Sequence, residues 1–273
     1  MSLKRRLAIK SVQICPTSVG FFYFYRMDIK QYLDSTYLKT AEQAGISESE
    51  NAAVAEKFIK EAIDEHFKLI MIRPKFVSVA KEMILSAKSK LTVGTVIDFP
   101  EGSSSIDKKL EEAQKAIADG ADDLDFVCNY KAFINGDIAA VKEEILLGTK
   151  LGLEHHKIVK WIIEVAALNA LQIVQLSTLI KNIVMSNFKE ETYVNVFVKS
   201  STGFYKTANN LPNGATPETV VLMLENASPL SVKAAGGVRT YEEAVEMIRL
   251  GVRRIGTSSA KAIANGAVAS GGY

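Results

Sequence analysis

The 273-residue chain has only two cysteines, Cys15 and Cys128, and no CxxC spacing. That excludes a disulfide framework or a zinc scaffold and suits a reducing compartment, so a cytoplasmic location is expected. It lacks an apolar run of eighteen residues, so no membrane span is expected. It lacks a large charge of either sign: 33 lysines and arginines stand against 31 acids, a net charge of +2. Nucleic acid and anionic membranes are therefore not expected partners. It also lacks a GxGxxG after an early strand, and with it the dinucleotide-binding signature. Pro-, Gly- or Ser-rich linkers are missing too, which leaves one main domain over 28–273.

Residues 1–27 stand apart. Lys4, Arg5, Arg6, Lys10 and Arg26 all precede the first acid, Asp28. The start is basic and then apolar, as in a targeting segment. However, Lys10, Gln13 and Pro16 break the apolar run and no A-x-A site follows, so a non-core extension is expected.

What is present is an alternation of short β-branched runs with longer amphipathic stretches. Strands are expected around 32–36, 67–72, 91–97, 123–128, 157–163, 194–199, 230–235 and 253–258. Helices are expected over 49–65, 105–120, 167–188, 216–227 and 240–251, the last from a Thr240 cap to Gly251. Strands apolar on both faces and spaced by one βα unit predict a single-domain (β/α)8 TIM barrel, an α/β fold. An open doubly wound sheet is the alternative.

Charged residues recur in these apolar runs: Asp34, Asp98, Asp125, Lys160, Glu164, Lys199 and Lys233. A barrel keeps its active site at the C-terminal strand ends, so several would face one pocket. Asp98, before Phe99-Pro100, is the exception and is read as a loop turn. The bland reading is an ion-pair plug, but three lysines outnumber the acids expected beside them. A crowded, desolvated lysine loses its proton more easily. A neutral amine can attack a carbonyl to form a Schiff base. This pattern points to class I aldolase chemistry without metal or other cofactor.

Two loops add a phosphate signature. Gly236 and Gly237 follow the seventh strand; Gly256, Thr257, Ser258 and Ser259 follow the eighth. Loops at these strands commonly bind phosphate through exposed N–H groups. Ordinary turns and serine caps are the alternative. Arg239 is expected to pair with Glu242 or Glu243 on the helix surface.

In "VFVKSSTGF", "VKAAGGVRT", "ADDLDFVCNY", "VKWIIE" and "YLDSTYL" the chain resembles the deoxyribose-phosphate aldolase family, from about Tyr32 to its last residue. The "NGATPETV" stretch, 213–220, is similar to that family's loop after the Schiff-base strand. The resemblance implies Lys199 as the imine-forming residue, with Lys233 lowering its pKa. Asp125 would relay protons with Lys233 and a water, and Lys160 would position a hydroxyl or that water. Asp34, Thr36, Gly203, Gly236, Gly237, Ser258 and Ser259 would hold the substrate and its phosphate. Tyr273 is either an incidental tail residue or, as in several family members, an aid to proton transfer at the enamine carbon. The implied reaction is reversible cleavage of 2-deoxy-D-ribose 5-phosphate to D-glyceraldehyde 3-phosphate and acetaldehyde. A homodimer is the candidate assembly. The rival readings are another lysine-dependent phosphosugar aldolase and a non-catalytic binding protein. The chain departs from the family pattern at Met71, where a cysteine is usual, at Gly94 and at Val165. Arg73 is a further departure that would alter pocket charge.

Overall fold

The computed structural model describes residues 28–208 and 211–266. The expectations for residues 1–27 and for Tyr273 lie outside the described residues.

Eight strands form one closed, all-parallel barrel in chain order. They are β1 (Leu33–Tyr37), β2 (Leu69–Ile72), β3 (Thr92–Ile97), β4 (Asp123–Val127), β5 (Ile158–Ile162), β6 (Val196–Lys199), β7 (Ser231–Ala235) and β8 (Arg254–Thr257). Pairing of Leu33 with Ile255 and of Asp34 with Gly256 closes the ring. That pairing overturns the open-sheet alternative.

Helices cover the outside: α1 (Ala41–Ala44), α2 (Glu48–Asp64), α3 (Val77–Ser86), α4 (Ile106–Ala118), α5 (Tyr130–Ile134), α6 (Ile138–Glu154), α7 (Ala170–Asn187), α8 (Pro217–Ala227), α9 (Tyr241–Leu250) and α10 (Ala260–Ala264). The helices expected from the sequence are α2, α4, α7, α8 and α9. The main shift is at α7, where 165–167 form a separate 3-10 turn. As expected, Thr240 caps α9 and Gly251 ends it in a left-handed conformation. None of these helices is long and apolar enough to cross a membrane.

Side chains alternate across each strand. One face, including Leu33, Val93, Phe126, Val159 and Ile255, joins the strand–helix core. Trp161 belongs to that layer, stacked on Phe126 at 4.9 Å, with its indole N–H donating to Thr149 Oγ1 at 2.9 Å. Truncating it to alanine would cost about 3–5 kcal/mol. The other face points into the barrel. There Leu69, Met71 and Val96 form an apolar sector on the β1–β3 side, roofed by Leu38, Phe99 and Phe204. The opposite sector is charged.

Candidate active site

Period-two alternation turns Asp123 and Asp125 of β4 to one face, and does the same for Arg254 and Gly256 of β8. Parallel register then sets Asp125 beside Lys160, and Lys199 beside Lys233. Asp125 is the hub. Its Oδ1 accepts from Lys160 at 2.7 Å. Its Oδ2 accepts from Lys199 at 2.8 Å and from Lys233 at 2.9 Å. Lys160 also donates to Asp123 at 2.6 Å. Lys233 is ion-paired with Asp34 at 2.6 Å, and Arg254 binds Asp34 and Asp123.

The buried set thus has four cations, Lys160, Lys199, Lys233 and Arg254, against three carboxylates, Asp34, Asp123 and Asp125. Asp123 and Arg254, which the sequence did not single out, also belong to the set, and adding one charge of each sign leaves the excess of cations at one. For Asp123 the signal was available: it alternates with Asp125 on the same strand. One positive charge remains unbalanced, and a neutral amine at one lysine would cancel it.

Lys199 is the group best placed to be that amine. Burial pulls its pKa down, Asp125 pulls it up, and Lys233 and Lys160 push it down again, leaving it at about 8. Relative to a free lysine that corresponds to about 3 kcal/mol favouring the neutral form. Burial alone would raise the Asp125 pKa, but Lys160, Lys199 and Lys233 outweigh it and hold the carboxylate ionised, well below its usual range. For Lys160, burial would lower the pKa, yet Asp123 and Asp125 raise it above the ordinary value.

Above this network lies a pocket lined by Thr36, Lys199, Thr202, Gly203, Asn213, Gly236, Gly237, Arg239, Ser258 and Ser259, among others. It brings together Lys199 and the expected phosphate-loop residues. Gly203, Gly236 and Gly237 have φ of 80°, 74° and 87°, which turns their backbone toward the cavity at little steric cost. Asn213 Nδ2 donates to the Gly203 carbonyl at 3.0 Å and ties together the two ends of the loop between β6 and α8. The helix after β8, α10, is only five residues long, so the anion-binding character rests on loop N–H groups and hydroxyls.

Two of the expected residues lie deeper than the pocket wall, and one expectation changes. Asp34 is fully buried and bound to Lys233 and Arg254 beneath the pocket. Lys160 is likewise fully buried and donates to Asp123 and Asp125. Arg239 forms no ion pair with Glu242 or Glu243 among the described residues. The Glu243 carboxylate instead accepts the backbone N–H groups of Arg239 and Thr240 at the start of α9, while Arg239 lines the pocket.

The other singled-out residues have clear places. Asp98 accepts the Ser104 N–H and hydroxyl, each at 2.8 Å, and turns the loop as expected. Met71 lies in the apolar sector. Arg73 donates to the carbonyls of Leu38 and Phe99 and lies over the Phe99 ring at 4.8 Å, pinning the rim. Sequence reasoning did not single out Thr202 or Asn213. Both lie inside stretches it quoted, but only loop geometry brings them to the pocket.

No protein-family model matches the chain. Among curated proteins, the deoxyribose-phosphate aldolase of Thermococcus gammatolerans is 39% identical over 245 residues, covering 88% of this chain and 97% of that one. That of Caldicellulosiruptor saccharolyticus is 37% identical over 242 residues, covering 87% and 97%. Among solved structures, the tetrameric deoxyribose phosphate aldolase of Aeropyrum pernix superposes with a TM-score of 0.68 at 26% identity, covering 87% of this chain and 89% of that one.

Proposed function

This chain belongs to the deoxyribose-phosphate aldolase family, and from that premise we propose which of its residues carry the reaction. It is a class I aldehyde-lyase, a deoxyribose-phosphate aldolase that interconverts 2-deoxy-D-ribose 5-phosphate with D-glyceraldehyde 3-phosphate and acetaldehyde. Lys199 is the nucleophile. As the free amine it adds to C1 of the open-chain sugar, and loss of water leaves a protonated imine. Removal of the C3 hydroxyl proton breaks the C2–C3 bond. Those electrons neutralise the iminium and leave an enamine of acetaldehyde on Lys199. The enamine carbon then takes a proton, and water releases acetaldehyde.

Electrostatics favours that sequence at one step in particular. The iminium restores the unbalanced positive charge, and Asp125, 2.8 Å from the amine, compensates it. C2–C3 cleavage takes that charge off the Schiff-base nitrogen, and the buried set is neutral again once the abstracted proton has left it. Asp125 and Lys233, with a water, are the group that moves the C3 hydroxyl proton. Lys160 and Asp34 are positioning residues for this pair. The N–H groups of Gly203, Gly236 and Gly237, the hydroxyls of Ser258 and Ser259, and the guanidinium of Arg239 hold the phosphate.

The observation that carries this assignment is the sharing of Asp125 Oδ2 by two lysines, one of which has a pKa near 8. Its test is trapping with acetaldehyde and borohydride followed by peptide mapping. The expected product is a two-carbon adduct on Lys199. An adduct on Lys233 or Lys160 would reverse the roles.

A further inference from the structure

The substrate carries oxygen on every carbon but C2. C1 is the carbonyl, C3 and C4 bear hydroxyls and C5 bears the phosphate ester, whereas C2 bears hydrogen alone. The inside of the barrel is divided in a matching way. Its charged sector takes the C1 imine and the C3 hydroxyl, and the loops after β6, β7 and β8 take the phosphate. The remaining sector is made of Leu69, Met71 and Val96. It offers no hydrogen-bond donor and, beyond the weak thioether of Met71, no acceptor. Leu38 packs with this sector and lines the pocket together with Lys199, so the apolar surface reaches the reacting pocket. The sector is packed to contact: a Cβ built on Gly94 would stand 2.6 Å from Met71 Cε and 3.1 Å from the Leu69 methyls.

The roof over this sector comes from three different loops: Leu38 after β1, Phe99 after β3 and Phe204 after β6. Arg73, in the loop after β2, ties them. Its Nε donates to the Leu38 carbonyl at 2.7 Å and its Nη1 to the Phe99 carbonyl at 3.1 Å. Its guanidinium lies over the Phe99 ring at 4.8 Å, and that ring meets Phe204 edge-on at 5.1 Å. A rigid planar fork holds two carbonyls at once, which the single ammonium of a lysine does less well. Nothing in the reaction above uses Arg73.

We propose that the apolar sector is the donor subsite, which takes C2 and disfavours a donor aldehyde bearing a hydroxyl on that carbon, and that Arg73 is a positioning residue that holds its roof closed. The proposal rests on the assignment of Lys199 and names the class of donor that site accepts: aldehydes whose α-carbon carries only hydrogen or carbon. A hydroxyl on the enamine carbon would leave water for a wall with nothing to bind it. An alkyl group of the same size loses no hydrogen bond there. With the Arg73 ties cut, Leu38 and Phe99 part, water enters the sector and the discrimination falls. The same water stabilises the Lys199 ammonium.

The test runs the reaction in the synthetic direction with D-glyceraldehyde 3-phosphate as acceptor. The donors are propanal and glycolaldehyde, which extend acetaldehyde by a methyl and by a hydroxyl, so size is held constant while polarity changes. The readout is the kcat/KM for propanal divided by that for glycolaldehyde, with each sugar phosphate identified by mass. Wild type is expected to favour propanal about tenfold or more, within the roughly hundredfold an apolar wall exerts against a hydroxyl. Val96→Thr, which sets a hydroxyl in the sector at the same shape, is expected to lower the ratio about tenfold. Arg73→Met is expected to lower it about threefold or more and to move the pH midpoint of Lys199 trapping upward. If Arg73→Met does not fold, Arg73→Lys, which keeps the charge and loses the fork, takes its place with the same expected directions. A wild-type ratio of one or below, or an unchanged ratio in Val96→Thr, would overturn the donor subsite. Equal losses on both donors with an unmoved midpoint in the Arg73 variant would reduce Arg73 to a structural tie and overturn its role. Borohydride trapping of acetaldehyde runs alongside: absence of the adduct on Lys199 in wild type removes the underlying assignment, whereas trapping with unchanged ratios removes only the donor subsite and its roof.

Discussion

Lys199 and Lys233 bind the same atom, Asp125 Oδ2, at 2.8 and 2.9 Å, and are register partners across β6 and β7. Two amines on one carboxylate oxygen cannot both be fully compensated by it. Lys233 has a second carboxylate, Asp34, at 2.6 Å, and Lys199 has none so close. The asymmetry explains why Lys199 is the one that gives up its proton.

The pH dependence of imine formation follows. With a pKa of about 8, Lys199 is mostly charged at pH 7 and mostly neutral at pH 9. The rate of borohydride-trapped adduct formation is expected to climb through a midpoint near that pKa. In Lys233→Leu a repelling cation is gone and Asp125 Oδ2 serves Lys199 alone, so both changes raise the Lys199 pKa. The rise should move to higher pH, and turnover at pH 7 should fall at least tenfold. A midpoint that stays in place would refute the electrostatic role of Lys233.

Arg239 is the side-chain cation that the loop between β7 and α9 contributes to the pocket. Arg239→Ala is expected to raise KM for deoxyribose 5-phosphate tenfold or more, the cost of a charge-assisted bond to phosphate. Acetaldehyde trapping at Lys199 should not change. An unaltered KM would return Arg239 to the surface role first expected of it.

Gly214 tests the loop packing. A Cβ built there would stand 2.3 Å from the Gly236 carbonyl carbon and oxygen, which are backbone atoms. They cannot yield without moving the turn that carries the Gly236 and Gly237 N–H groups. Gly214→Ala is expected to weaken phosphate binding by an order of magnitude. The barrel and the imine chemistry should survive. Steady-state KM with phosphorylated and unphosphorylated aldehydes checks it: losses confined to the phosphorylated one are expected.

Tyr273 lies outside the described residues, and its role is proposed from the family resemblance alone. A phenol with an ordinary pKa of about 10 is protonated at neutral pH and can still exchange its proton. Tyr273→Phe is expected to slow exchange of acetaldehyde methyl protons about tenfold or more while leaving adduct formation on Lys199 intact. Exchange at the wild-type rate would leave Tyr273 an incidental residue.

The alternation of strand and helix is legible in the chain because it is local chemistry: β-branched runs, capped amphipathic segments and glycine stops follow from neighbours a few residues apart. The lysines at 160, 199 and 233 are legible for the same reason, since an ammonium in an apolar strand has few explanations. Closure is another matter. Leu33 meets Ile255 only because the twist of the whole sheet brings the first strand to the last. Closure also decides which carboxylate each cation finds. Period two puts Asp123 with Asp125 and Arg254 with Gly256, but only the ring pairs Arg254 with Asp34, 220 residues away. That long-range pairing draws Asp34 below the pocket and leaves Lys160 committed to its two aspartates. In the same way Glu243 is taken up by the backbone at the start of α9, and Arg239 is left to the pocket. The residue types needed for the chemistry are set by the sequence. Which of them touch substrate and which only hold their neighbours is decided by distances that exist once the barrel has closed.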